Sequence, residues 1–159
     1  MADWFVVNVA DAPAWRHEIA GVRVRFEDAE DPFPDFGINI RVLEPGEPAC
    51  RYHSENRQEG FLVLSGECLL IVEDEERTLK AWDYFHCPAG VTHVFVGAGD
   101  GPCAILMVGA RGGDTAHYPV SEVAARYGAS VSTPTDSPPE AYSDWSREFT
   151  PVKLDWPPR

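Results

Sequence analysis

Eight strand-length runs fill the chain between positions 22 and 108, each closed by glycine, proline or a cluster of charges. Val22-Arg23-Val24-Arg25-Phe26 alternates apolar and polar residues with period 2. So does Phe36-Gly37-Ile38-Asn39-Ile40-Arg41-Val42, whose even positions are apolar, before Glu44-Pro45-Gly46-Glu47-Pro48 ends the run. Period 2 is the signature of a strand with two unlike faces. Further runs follow at Gly60–Leu64, Cys68–Val72, Arg77–Lys80, Tyr84–Cys87, Thr92–Val96 and Cys103–Val108. Short strands at this spacing, with no helical stretch between them, predict an all-β sandwich or barrel and exclude a βαβ fold. One short helix is expected after the strands, with Ser121 as N-cap, Glu122 in the first turn and Gly128 as the stop. From residue 130 to 159 the composition shifts to Pro, Ser, Thr and Asp, yet Trp145, Phe149 and Trp156 remain. The domain thus spans 1–129, and 130–159 reads as an arm packing on the barrel or on a partner subunit.

Charge narrows the function classes. Thirteen Lys and Arg against 26 Asp and Glu give a formal charge of -13 over 159 residues. A field of that sign repels nucleic-acid backbones and anionic lipid surfaces, so neither is an expected partner. The longest apolar runs fall far short of the roughly 20 residues that span a bilayer. Met1-Ala2-Asp3-Trp4 has no basic or long apolar character, so the expectation is a cytoplasmic protein without a signal peptide. Cys50, Cys68, Cys87 and Cys103 are 18, 19 and 16 residues apart, which rules out a CxxC metal or redox pair. They read as free thiols serving as small apolar side chains.

Two segments concentrate the chemistry. In Tyr52-His53-Ser54-Glu55-Asn56-Arg57-Gln58-Glu59, residues His53 and Glu55 are two apart and would project to one face of an extended strand. Glu59 opens the run containing Phe61 and Val63. In Pro88-Ala89-Gly90-Val91-Thr92-His93, a tight turn leads directly into His93. Two imidazoles and one or two carboxylates converging inside a barrel make a mixed N/O site, suited to a divalent transition metal such as Fe, Mn, Ni or Zn.

These segments resemble the two motifs of the cupin superfamily, small β-barrels of the jelly-roll class. Glu59, six intervening residues and Gly66 match the end of the first motif, and His53 matches its leading histidine. Pro88-Ala89-Gly90-Val91-Thr92-His93 matches the heart of the second. The resemblance covers roughly residues 36 to 110 and implies metal ligation by His53, Glu59 and His93. Four positions depart from the pattern. Glu55 replaces the second histidine, Gly46 lies one residue too far from His53, Trp82 stands where glycine is usual, and Gly97 stands where the last asparagine is usual. Glu55 is either a fourth ligand or a catalytic base. A buried hydrogen-bonded cluster without metal is the other reading of the same residues.

Arg41 and Asn39 share the polar face of their strand. They would either line the barrel mouth, with Arg41 holding an anionic substrate, or lie on an exposed sheet face. Tyr52, Phe61, Phe95 and Met107 are candidate pocket walls or core. His17 and His117 have no partner at ligand spacing, and His86 should point away from the cavity. The functional expectation is a metal-dependent enzyme, an isomerase, lyase or dioxygenase, acting on a small carboxylate or sugar-like molecule. The alternative is a non-enzymatic barrel that binds a small molecule or metal, or has a structural role. A homodimer formed through sheet edges and the C-terminal arm is expected in either case.

Overall fold

Each of the eight alternating or apolar runs becomes a strand in the computed structural model, which describes residues 4–158. In chain order the first strands are β1 (Ala14–His17), β2 (Gly21–Arg25), β3 (Phe36–Leu43), β4 (Ser54–Glu55), β5 (Glu59–Ser65) and β6 (Glu67–Val72). Then come β7 (Glu75–Lys80), β8 (Tyr84–Cys87), β9 (His93–Ala98), β10 (Cys103–Ala110) and β11 (Ala116–His117). Two one-turn helices, α1 (Glu122–Ala125) and α2 (Pro138–Ala141), precede the last strand, β12 (Thr150–Val152). The residues Met1–Asp3, on which the expectation of a leaderless N-terminus partly rests, lie outside the described residues.

The strands pair antiparallel into a seven-stranded sheet, β12-β1-β2-β3-β10-β5-β8, a three-stranded sheet, β7-β6-β9, and the ribbon β11-β4. The two larger sheets meet over a core of Leu43, Phe61, Val63 and Ile105 from one and Cys68, Leu70 and Phe95 from the other. Each such fully buried aliphatic or aromatic side chain contributes about 1.5–3 kcal/mol. The sheets face one another without closing into a continuous ring, the jelly-roll arrangement. No helix among the described residues is long and apolar enough to cross a membrane.

Both sheets are also covered on their outer faces. Val22, Val24, Ile40, Val42 and Ala104 form a second cluster, over which lie Val7 and Val9 from the N-terminal segment and Val152, Leu154 and Trp156 from the C-terminal one. On the small sheet, Ile71, Val94 and Val96 pack against Ala124 of α1, Ala129 and Tyr52. That is why β9 is buried at five successive positions, His93 to Gly97, rather than at every second one. Helix α1 is capped as the sequence predicts: the Ser121 hydroxyl accepts from Ala124 N–H at 3.0 Å, and Gly128 adopts φ +69°. The second helix was not anticipated. Its signals are local: Ser137 accepts from Glu140 N–H, and prolines occupy the first turn, where no N–H is needed.

Segment 130–158 folds back on the same chain. Its strand β12 pairs with the outer edge of β1 in the register Ala14↔Val152, Trp15↔Pro151 and Arg16↔Thr150. Arg51 holds the middle of the segment. Its guanidinium donates to the carbonyls of Ala141, Gly128 and Ser130 at 3.0, 3.0 and 2.9 Å, reaches Asp144 at 2.5 Å, and lies 4.7 Å from the Trp145 ring centroid. His17 packs against Trp145 and Phe149 and takes hydrogen bonds from Ile19 and Ala20 N–H, so it is a structural residue.

Trp82, in the turn between β7 and β8, has φ +75°, a left-handed conformation that a side chain disfavours by about 1–2 kcal/mol. Its indole is 74% exposed, so burial returns little of that cost. Trp82→Gly is therefore expected to raise the thermal unfolding midpoint by about 2–3 °C, after part of the gain is offset by the added freedom of glycine in the unfolded chain. A lowered midpoint would refute this account of the turn.

Candidate metal centre and its cavity

His53 and His93 are brought together by backbone pairing. Each donates its N–H to the other's carbonyl, at 3.2 and 2.9 Å, in a single antiparallel bridge between the segment entering β4 and the start of β9. The Pro88–Gly90 turn is tied to the same place, because Gly90 N–H donates to the Glu55 carbonyl at 2.7 Å. Glu59 comes from the first position of β5. One nitrogen from each imidazole and one Glu59 carboxylate oxygen all lie within 4.8 Å of one another.

The second ring nitrogens settle which way the imidazoles present themselves. His53 Nδ1 lies 2.7 Å from the Arg51 carbonyl, and His93 Nδ1 lies 3.2 Å from that of Val91. A carbonyl only accepts, so both Nδ1 atoms carry the proton and both Nε2 atoms turn toward the carboxylates. His53 Nε2 is 3.2 Å from Glu55 Oε1, and His93 Nε2 is 3.4 Å from Glu59 Oε2. Glu59 Oε2 is buried and has no hydrogen-bond partner. An orphaned carboxylate oxygen facing imidazole nitrogens is a donor set that fits a divalent transition metal.

Burial and mutual charge shift the titration of all four groups. Burial, aided by the neighbouring Glu55 charge, pushes the Glu59 carboxyl up to about 7. Burial, with His53 beside it, pushes the His93 imidazole down to about 4. At His53 burial opposes protonation, but Cys50, Glu55 and the Arg51 carbonyl outweigh it and hold the pKa above its ordinary value. Glu55, hydrogen-bonded to His53, is held below the usual carboxylate range against the effect of burial.

These residues open onto a cavity of about 300 Å³, which suits a small ligand. Phe61, Phe95 and Met107 line it, as does Tyr118, whose ring stacks on His53 with centroids 5.6 Å apart. Tyr52 does not; it packs beneath α1 and accepts a hydrogen bond from Asp74 N–H. Of the thiols, Cys68, Cys87 and Cys103 are buried and Cys50 is half-buried on the cavity wall, all of them free. His86 is exposed, and His117 pairs with Asp136 at 2.5 Å on the surface, so neither belongs to the site.

Arg41 and Asn39 do line the cavity, and so does Arg23, which the alternation in β2 alone did not single out. The reason lies in which face is inside. On β2 and β3 the apolar residues point outward, under the two terminal segments, and the polar residues point inward. Arg23 and Arg41 stand directly opposite each other across the β2–β3 pair. Burial, reinforced by Arg23, pushes the Arg41 pKa down to about 9, which leaves it charged at neutral pH.

Comparison with known proteins agrees with this architecture. A family model described as a cupin domain matches residues 39–109, the stretch that holds Asn39, Arg41 and every member of the His–Glu–His set. Residues 39–109 thus form a cupin domain. Among solved structures, the chain is similar to a sugar phosphate isomerase from a cupin superfamily of Silicibacter pomeroyi. That likeness has TM-score 0.63 at 21% identity over 97% of this chain and 96% of the other. It is also similar to the polyketide cyclase RemF from Streptomyces resistomycificus, with TM-score 0.58 at 19% identity over 68% and 80% of the two chains. A cupin protein from Bacteroides fragilis aligns with TM-score 0.56 at 21% identity over 71% and 88%. Identities this low carry the fold and not the activity. No curated protein matches the sequence.

Proposed function

We propose that this protein binds a divalent transition metal, Fe, Mn, Ni or Zn, through His53, Glu59 and His93, and acts as an enzyme on a small carboxylate or sugar-like molecule. The observation that carries the proposal is the buried, unpartnered Glu59 Oε2 facing imidazoles whose Nδ1 atoms are fixed by backbone carbonyls. A bound ion would supply Lewis acidity to a substrate oxygen. The residues of the chain do the rest. His53 and His93 hold their lone pairs in place through the carbonyls of Arg51 and Val91. Phe61 and Phe95 make part of the cavity wall apolar. Glu55 stands beside the His–Glu–His set, ionised and partly exposed, where a carboxylate would accept a proton from a substrate carbon or hydroxyl.

Elemental analysis of the purified, untagged protein tests the proposal. A near-stoichiometric transition metal is expected in the native protein and in Glu55→Gln, and its loss in His53→Ala and His93→Ala. Absence of any metal from the native protein, even after reloading under reducing conditions, would refute it.

A further inference from the structure

Arg23 and Arg41 are the feature that this centre leaves unexplained. They are directly opposed residues of β2 and β3, with both side chains on the cavity wall. Like charges facing each other across a strand pair destabilise it, and a buried guanidinium without a counter-charge is costlier still. Nevertheless, neither arginine forms an ion pair among the described residues. Arg41 is buried and donates one long hydrogen bond, 3.4 Å, to the Ala20 carbonyl. Arg23 keeps its Nε buried and without a partner.

None of the acidic groups of the same cavity pairs with either arginine. Glu55 faces His53, Glu59 faces His93, and Asp114 lies 3.9 Å from Arg57. The third arginine on the wall, Arg111, is satisfied by both oxygens of Glu27 at 2.6 and 2.7 Å. The other titratable groups around Arg23 and Arg41 are Cys50, Tyr142 and a further cation, Arg25. Two opposed arginines thus line a cavity in which no carboxylate pairs with them.

We infer that Arg23 and Arg41 together form a phosphate-binding subsite, so that the molecule taken into the cavity is a phosphate ester whose dianionic group lies between the two guanidiniums. This deepens the reading given above and rests on it for the rest of the substrate. Two fixed positive forks match a dianion in charge and in geometry, because each guanidinium offers paired donors to two phosphate oxygens. A strongly acidic protein needs such a local device, since its overall field opposes the approach of an anion.

The test is calorimetric titration of inorganic phosphate into the native protein, as purified and after chelator treatment, beside Arg41→Met and Arg23→Gln. Acetate serves as the monoanionic comparison. Each substitution is expected to weaken phosphate binding by about tenfold or more, in both metal states. Acetate should bind more weakly than phosphate. Phosphate should also raise the unfolding temperature of the native protein and not that of the variants, whose own cooperative unfolding reports that they are folded. Phosphate binding of equal strength in native and variant proteins would overturn the subsite, as would no binding at millimolar phosphate. Acetate binding as tight as phosphate would overturn the dianion assignment. If the protein holds no metal but binds phosphate through these arginines, the metal proposal fails and the subsite stands. Metal retention without arginine-dependent phosphate binding gives the converse.

Discussion

Gly97→Asn, which installs the residue that cupins usually carry at this position, is expected to destabilise the protein by about 3 kcal/mol or more. A Cβ at position 97 would lie 2.1 Å from the Glu44 carbonyl oxygen and 2.7 Å from its carbon. Both are backbone atoms, so no rotamer relieves the clash. The turn at Glu44–Glu47 is bound to this strand, with Gly46 N–H donating to the Gly97 carbonyl and Gly97 N–H to that of Glu47, at 2.8 and 2.9 Å. Moving the turn away would break both bonds. The loss should appear as a fall of about 10 °C in the thermal midpoint, or as failure to accumulate folded protein. Gly101→Asn is the control, because a Cβ there meets nothing within 4 Å. An unchanged midpoint in Gly97→Asn would refute the argument.

Arg51→Met is expected to release the C-terminal arm while leaving the two sheets intact. The substitution keeps the length of the side chain but removes every donor, leaving the carbonyls of Ala141, Gly128 and Ser130 and the Asp144 carboxylate without their shared partner. Breaking a buried charged network of this kind costs about 3 kcal/mol or more. Amide hydrogen exchange between residues 128 and 145 should accelerate far more than exchange in β6 or β10, and limited proteolysis should cut in the same segment. Uniform acceleration throughout the chain would show that Arg51 supports the whole fold and not the arm in particular.

The sequence made the strands legible because period-2 alternation and glycine or proline breaks are local signals. Cys68–Val72, Tyr84–Cys87 and Cys103–Val108 needed nothing else. It missed β1, β11 and β12, which have four residues or fewer and are defined by partners far away in the chain. The His–Glu–His set was legible through spacing and through likeness to a known pair of motifs. The role of Arg23 was not. Alternation shows that a strand has two unlike faces and is silent on which of them looks inward. In β2 and β3 the usual order is reversed, because the terminal segments bury the apolar face. The departures from the motif are also physical. Gly97 yields its side chain to an approaching turn, whereas Trp82 keeps one at the cost of backbone strain.

Arg51 has a consequence for how such a protein can diversify. Its side chain fastens the arm, and its carbonyl fixes the Nδ1 proton of His53 two residues later. Drift in the sequence of the last thirty residues therefore reaches the candidate metal centre through one peptide unit, without altering any ligand. Selection acting on the tail alone would have a means of retuning the chemistry of the barrel.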